Sequence, residues 1–330
     1  MSLMVVYNTC GIGGRENSAT YIKNIRSILK QDLSSKRVIL SGCCLSKKTF
    51  QKVYQEFGNR ISYYLTNERL AVNQTFNHAV LKGVQEFGEH DGYLYVASDV
   101  SFNDDLNSLS RLHDRILKDE NGIVSPEIDK DNGYFWWFGF EEEQNIWDVF
   151  GRDKDFVVPL GSTANLHCSI FSNKIFKAYG RPLPDVFVSY CTESSFSFLS
   201  AAVQQQFIIA NDVECSHGEN VGLHDGLDGQ TQAFGPAWDR VFPGSKSIKE
   251  IVESPEAAAC GFGHEEWVPR FLHKMNVPND KVYLMHDEKQ FDEDNFSIDE
   301  RLKNFIKNNL FLDKSILDYD TVVCKFIKGN

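Results

Sequence analysis

Short apolar runs alternate with amphipathic helical segments along the first 125 residues. The helical segments are recognised by apolar residues three and four positions apart, which form one face of a helix. This alternation is typical of βαβ units and predicts a mostly parallel sheet with helices covering both faces. Because the crossovers between such strands are right-handed, the strands end at the same edge of the sheet. Strands are expected at residues 4–7, 37–40, 61–65, 93–97 and 122–125.

The strand expected at 93–97 runs directly into an acidic residue, Asp99. Open α/β sheets bind ligands at the carboxyl edge of their strands. A carboxylate at that edge is well placed to hold a divalent ion against a phosphate. The polar strand ends at 7–9, 41–42 and 66–67 are expected at the same edge. The alternative interpretation is that Asp99 caps the helix that follows.

Two further polar residues stand at the ends of apolar runs. Glu193 begins a predicted helix, and His217 closes a strand expected at 207–210 with a short extension. Asp99 and His217 together are suitable ligands for Mn2+ or Mg2+. The alternatives are a carboxylate favoured by the helix dipole for Glu193 and an ordinary loop histidine for His217. Other histidines could also be the ligand: His224, His264 and His286.

Two asparagines, Asn73 and Asn77, lie one helical turn apart near the predicted start of a helix. The amino end of a helix favours an anion, because main-chain N–H groups and the helix dipole point toward it. The pair is therefore a candidate for binding a phosphate or a ribose. A solvated polar helix face is the alternative interpretation.

Charge and composition exclude several classes of partner. The formal net charge of −12 argues against a nucleic acid or a membrane surface as partner, since either requires a basic footprint. No apolar run is long enough to predict a membrane span, and no secretory leader is recognised. The eight cysteines include no C-x-x-C pair. We therefore expect a cytoplasmic protein.

Several segments follow the pattern of one enzyme family. Residues 5–9 are similar to its first strand, and 95–99 stand in the place of its Asp-x-Asp metal motif. Residues 190–193 stand in the place of its acidic pair, one member of which is the catalytic base. Residues 208–217 resemble its last strand and metal-binding histidine. Over residues 3–220, the chain thus resembles the nucleotide-sugar glycosyltransferases of the GT-A fold, most closely the inverting family 2 type.

The resemblance implies an α/β fold of the GT-A, Rossmann-like type, with a mostly parallel central sheet flanked by helices. It implies a glycosyltransferase domain at 1–220, composed of a nucleotide-sugar half at about 1–125 and an acceptor half at about 126–220. Residues 221–330 are expected to form a loop and a mainly helical C-terminal extension.

The resemblance also implies a metal-dependent mechanism. Mn2+ or Mg2+ on Asp99 and His217 would bridge the diphosphate of a UDP- or GDP-linked sugar. Glu193 would take the proton from the hydroxyl of a glycan or other acceptor, with inversion at the sugar. The residues expected to contact the donor are Tyr7, Asn8, Thr9, Ser41, Asn73, Asn77, Ser98 and Asp99.

The sequence departs from the family pattern at three acidic positions. Ala97 replaces the first Asp of the metal motif, Thr192 replaces one member of the acidic pair, and Ser41 follows the second strand where a base-binding acid is expected. Two alternatives therefore stay open. One is a sugar-phosphate nucleotidyltransferase, with 11–15 as its Gly-rich loop, and the other is a catalytically inactive carbohydrate- or nucleotide-sugar-binding protein.

Overall fold

One mixed sheet organises the part of the chain that the structure describes. The computed structural model describes residues 2–10, 16–68, 70, 72–128, 134–135, 144–145, 147, 151–158, 167–185, 195–218, 303–304, 306–308, 311, 314 and 318–330. The described strands are β1 (Leu3–Cys10), β2 (Lys36–Cys43), β3 (Ser62–Thr66), β4 (Gly92–Ala97), β5 (Val100–Phe102), β6 (Asn121–Ile128), β7 (Tyr134–Phe135), β8 (Gln144–Asn145), β9 (Phe156–Val157), β10 (Cys168–Ser172), β11 (Gln206–His217) and β12 (Cys324–Ile327). The order of the strands in the main sheet is β12, β3, β2, β1, β4, β10, β6, β11 and β5, and β9 pairs with β11.

The sheet directions confirm the predicted α/β architecture. The strands β3, β2, β1 and β4 pair in parallel. The antiparallel strand β10 lies between β4 and β6. Because β10 is antiparallel to both of these neighbours, β6 runs in the same direction as β4, and so does β11, which pairs in parallel with β6. Six of the ten described strands of this sheet therefore end at one edge.

Helices cover this sheet, and their sequences explain where they form. The first helix, α1 (Ser18–Lys30), begins after Asn17, whose side chain accepts hydrogen bonds from the main-chain N–H groups of Ala19 and Thr20. Its buried residues recur at helical spacing: Tyr21, Asn24, Ile25 and Ile28. The helices are α1 (Ser18–Lys30), α2 (Lys47–Phe57), α3 (Val72–Phe87), α4 (Ser108–Ile116), α5 (Asn173–Tyr179) and α6 (Phe196–Ala202). Among the described residues, no helix has the length and apolar character needed to cross a bilayer.

The C-terminal residues add a strand that the sequence did not predict. Strand β12 pairs antiparallel with β3, placing Cys324 opposite Thr66. The expected boundary at residue 220 therefore does not separate 318–330 from the sheet. A strand of four partly exposed residues has no continuous apolar run, which is why a mainly helical extension was expected there. Residues 219–302 lie outside the described part of the chain.

A buried histidine joins this C-terminal segment to the sheet. On one side of His78, which belongs to α3, Nδ1 lies 2.8 Å from the Tyr64 hydroxyl of β3. The ring of Tyr319 packs near its imidazole, with 5.2 Å between ring centroids. Burial lowers the pKa of His78 from the ordinary 6.5 to about 4. The imidazole is therefore neutral in the folded protein at pH 5 to 7.

We predict that His78 makes the protein less stable as the pH falls from about 6.5 to about 4. In this window the unfolded chain protonates the imidazole and the folded chain does not, so protons favour unfolding. Between pH 7 and pH 5, the free energy of unfolding should fall by about 2 kcal/mol more in the wild type than in His78→Gln. Urea unfolding at both pH values measures this difference. An equal fall in the free energy of unfolding of the two proteins would contradict the low pKa of His78 in the folded state.

Candidate metal centre

Three side chains converge at the carboxyl edge of the sheet. Asp99, His167 and His217 each offer one ligand atom, and these atoms all lie within 4.8 Å of one another. Nε2 of His217 is 3.2 Å from Oδ2 of Asp99. The imidazole rings of His167 and His217 have centroids 4.2 Å apart and are tilted by 32°. The cluster therefore combines one carboxylate with two imidazoles in a space of the size that a single metal ion requires.

Main-chain hydrogen bonds bring these residues together. Strand β10 pairs antiparallel with β4, so its first residues lie beside the last residues of β4, and Ala97 N donates to His167 O at 2.8 Å. On the other side, His217 pairs with Val100 of β5, and Gly218 N donates to Asp99 O at 2.8 Å. The turn that carries Asp99 is thus connected to both histidine-bearing segments.

An irregularity in β11 places His217 at this turn. The first part of the strand pairs with β6, and the register shifts between Ile209 and Glu214. Beyond the shift, the strand also pairs with β5, which directly follows the Asp99 turn. A bulge of this kind bends a strand and redirects its side chains. The position of His217 therefore depends on an irregular strand that apolar patterning alone does not predict.

Asp99 lies in the turn between β4 and β5, so the helix-cap interpretation was wrong. The next helix, α4, begins only at Ser108 and is preceded by Asn107. Burial acts to raise the pKa of the Asp99 carboxyl, but the hydrogen bond from His217 and the charges on His217 and His167 outweigh it. The pKa of Asp99 therefore lies below its ordinary value, and the carboxylate is ionised, as a metal ligand must be.

The predicted donor-binding residues of the first two strands are buried in the sheet. Tyr7 and Ser41 are fully buried, and the Tyr7 hydroxyl donates to Ser98 O at 2.5 Å. Thr9 Oγ1 donates to Ser41 O at 2.9 Å, and Asn8 Nδ2 donates to Val72 O at 3.1 Å. Because Tyr7 and Ser41 are fully buried, their direct contact with a nucleobase is not supported.

The two predicted asparagines of α3 also bond within the protein. Asn73 Nδ2 donates to Pro184 O at 2.9 Å. Asn77 Nδ2 donates to Leu183 O at 2.7 Å, and its Oδ1 accepts from Leu183 N at 3.0 Å. Both side chains are fully buried. This geometry favours a role in attaching residues 183–185 to the helix over a role in binding an anion.

Of the predicted site residues, Ser98, Asp99 and His217 thus come together at one turn. Glu193 lies outside the described residues, as do His224, His264 and His286. The structure adds His167, which sequence reasoning missed. The sequence feature that could have pointed to His167 is its position near the start of the apolar run 166–171. The antiparallel insertion of β10 beside β4, which gives that histidine its place, is a long-range pairing that the sequence pattern does not reveal.

The residues of the cluster fit a divalent first-row transition metal. Imidazole suits transition metals, and carboxylate suits Mn2+ as well as Mg2+. Three protein ligands leave coordination positions open for a substrate. Mg2+ is bound mainly through oxygen and retains several waters, so the two imidazoles make Mn2+ the better fit of the two expected ions.

The fold is the GT-A fold, as the resemblance implied. Two solved structures are similar to it: GalNAc-T7 with UDP, GalNAc and Mn2+, and TarS 1-349 from S. aureus in complex with UDP-GlcNAc. The first has 13% sequence identity and a TM-score of 0.53, covering 86% of this chain and 56% of that chain. The second has 15% identity and a TM-score of 0.50, covering 88% of this chain and 82% of that chain. This chain thus spans little more than half of the GalNAc-T7 chain. No protein-family model and no curated protein sequence matches it.

We predict that the nucleotide-free protein binds one Mn2+ at the three-residue cluster. Asp99→Ala and His167→Ala should each weaken binding by more than about 100-fold, beyond the loss typical of residues that only support a ligand. A titration followed by electron paramagnetic resonance, which detects unbound Mn2+, measures the binding affinity of each protein. Asp91→Ala is the matched control, because it breaks a different histidine–carboxylate pair, with 3.5 Å between His113 Nε2 and Asp91 Oδ2. Unchanged binding in either cluster variant would contradict the assignment.

Proposed function

We propose that the protein is a metal-dependent glycosyltransferase that moves a sugar from a nucleoside diphosphate to an acceptor hydroxyl. The observation that carries the proposal is the cluster of Asp99, His167 and His217 at the carboxyl edge of a GT-A sheet. This is the edge at which open α/β sheets bind ligands. The protein has a net charge of −12, so a diphosphate needs local positive charge in order to bind there.

The cluster residues would hold Mn2+, which supplies Lewis-acid stabilisation of the departing nucleoside diphosphate. The ionised Asp99 and the two imidazoles, which must be neutral to bind a metal, would provide three ligands. The half-buried turn at Ser98 and Asp99 would keep the carboxylate in place while the donor binds. Because both similar structures contain UDP or a UDP-sugar, we favour a UDP-linked over a GDP-linked donor.

Glu193 is the proposed general base because residues 190–193 stand where the resembled family has its acidic pair. Its carboxylate would accept the proton of the acceptor hydroxyl as that oxygen forms a bond to the anomeric carbon. The bond from that carbon to the diphosphate oxygen breaks, and the nucleoside diphosphate leaves with the bonding electrons. Attack on the face opposite the leaving group inverts the configuration. The acceptor would be a glycan or another hydroxyl compound.

The first test is binding of the donor with and without metal. Calorimetry with UDP-GlcNAc, UDP-GalNAc and a GDP-sugar should show binding of a UDP-sugar that Mn2+ strengthens by about tenfold or more, since the ion shields the diphosphate charge. Asp99→Ala should lose this gain, and Asp91→Ala should retain it. Preference for a nucleoside triphosphate would favour the nucleotidyltransferase alternative. Absence of nucleotide binding would contradict both enzyme functions.

The second test concerns the base. Glu193→Gln should bind the donor as the wild type does but transfer its sugar about 100- to 10,000-fold more slowly, because only proton removal is lost. Transfer of a radiolabelled sugar to a panel of glycan acceptors measures the rate, and Glu120→Gln, at an exposed turn, is the control. A wild type that binds the donor and transfers to no acceptor supports the inactive binding protein. Full activity of Glu193→Gln would exclude Glu193 as the base.

A further inference from the structure

The turn that carries Asp99 is held by hydrogen bonds on both sides. The carbonyl oxygen of Ser98 accepts two side-chain donors, the Tyr7 hydroxyl at 2.5 Å and Asn24 Nδ2 at 3.0 Å. The carbonyl oxygen of Asp99 accepts from Gly218 N at 2.8 Å. A Cβ at position 218 would lie 3.3 Å from that oxygen, so glycine permits the close approach.

These contacts fix the two peptide units that flank Asp99. A peptide unit is planar, so the direction of the Ser98 carbonyl also sets the direction of the Asp99 N–H. The Asp99 carbonyl sets the following unit in the same way. With both planes held, the Cα–Cβ bond of Asp99 has one direction. From that direction, a suitable side-chain rotamer brings the carboxylate beside His217, with 3.2 Å between Asp99 Oδ2 and His217 Nε2.

Packing alone does not explain the residue at position 24. Asn24 is 2% exposed and lies on the apolar face of α1, between Tyr21 and Ile28. An amide in such a position costs stability unless it is hydrogen-bonded, and an apolar side chain would fill the space without that cost. Its amide nitrogen reaches both Ser98 O and, at 3.4 Å, the Tyr7 hydroxyl. Two buried donors from different elements therefore converge on one main-chain oxygen.

We propose that Tyr7 and Asn24 are positioning residues for the metal-binding carboxylate of Asp99. Neither residue belongs to the three-ligand cluster; both would act through the Ser98 carbonyl and the peptide plane that it defines. Outer partners of this kind orient metal ligands, and their loss typically lowers metal affinity by about 10- to 100-fold. The inference rests on the proposed metal site, and it assigns to Tyr7 a role different from the nucleobase contact expected from sequence.

The test compares two positioning variants with two matched controls. Tyr7→Phe and Asn24→Leu each remove a buried donor to Ser98 O. Tyr63→Phe removes the hydroxyl of another buried tyrosine, which donates to Gly58 O at 2.9 Å. Asn121→Leu removes an equally buried amide that donates to Arg115 O at 2.9 Å. Each protein is measured for Mn2+ affinity without nucleotide, by electron paramagnetic resonance, and for stability, by urea unfolding.

We expect all four variants to lose stability, and only the two positioning variants to bind Mn2+ about 10- to 100-fold more weakly. Tyr7→Phe retains the ring and decides the question alone if Asn24→Leu does not fold. Wild-type affinity in Tyr7→Phe, or an equal loss in the controls, would overturn the inference and leave the metal site standing. A wild type that does not bind Mn2+ would instead overturn the proposed site, and the inference with it.

Discussion

The candidate site depends on two main-chain hydrogen bonds at the end of β4. One joins Ala97 N to His167 O, and the other joins Gly218 N to Asp99 O. They connect three segments that are about 50 or more residues apart in the sequence, and so bring the three metal-binding side chains close together. Because these bonds directly follow the pairings of β4 with β10 and of β5 with β11, the geometry of the site follows from the sheet and does not rely on flexible side chains alone.

The chemistry of the site follows from this position. At the edge of the sheet a carboxylate and two imidazoles are mostly buried, and the imidazoles keep the pKa of Asp99 low despite that burial. The carboxylate is therefore ionised and lies beside both imidazoles before a metal binds, which lowers the cost of assembling the site. The charge that would draw in a diphosphate is then supplied by the ion, in a protein that is acidic overall.

The sequence predicted what local patterns encode and missed what distant pairings create. Apolar runs and helical spacing were sufficient for β1 to β4, for α1 to α3 and for the strand end at Asp99. His167 and β12 were not foreseen, because each owes its place to antiparallel pairing with a strand far away in the chain. Tyr7 was expected at a nucleobase because strand ends face ligands, but successive side chains of a strand point to opposite faces of the sheet, and that of Tyr7 is buried.

The metal site at Asp99, His167 and His217 is tested most directly by a crystal structure of the protein with Mn2+ and UDP, in which anomalous scattering locates the ion. If the three residues hold the ion, one anomalous peak will lie within coordination distance of a carboxylate oxygen of Asp99 and one imidazole nitrogen each of His167 and His217, with diphosphate oxygens beside it. A peak elsewhere, or UDP bound with no ion at these residues, would contradict this metal site.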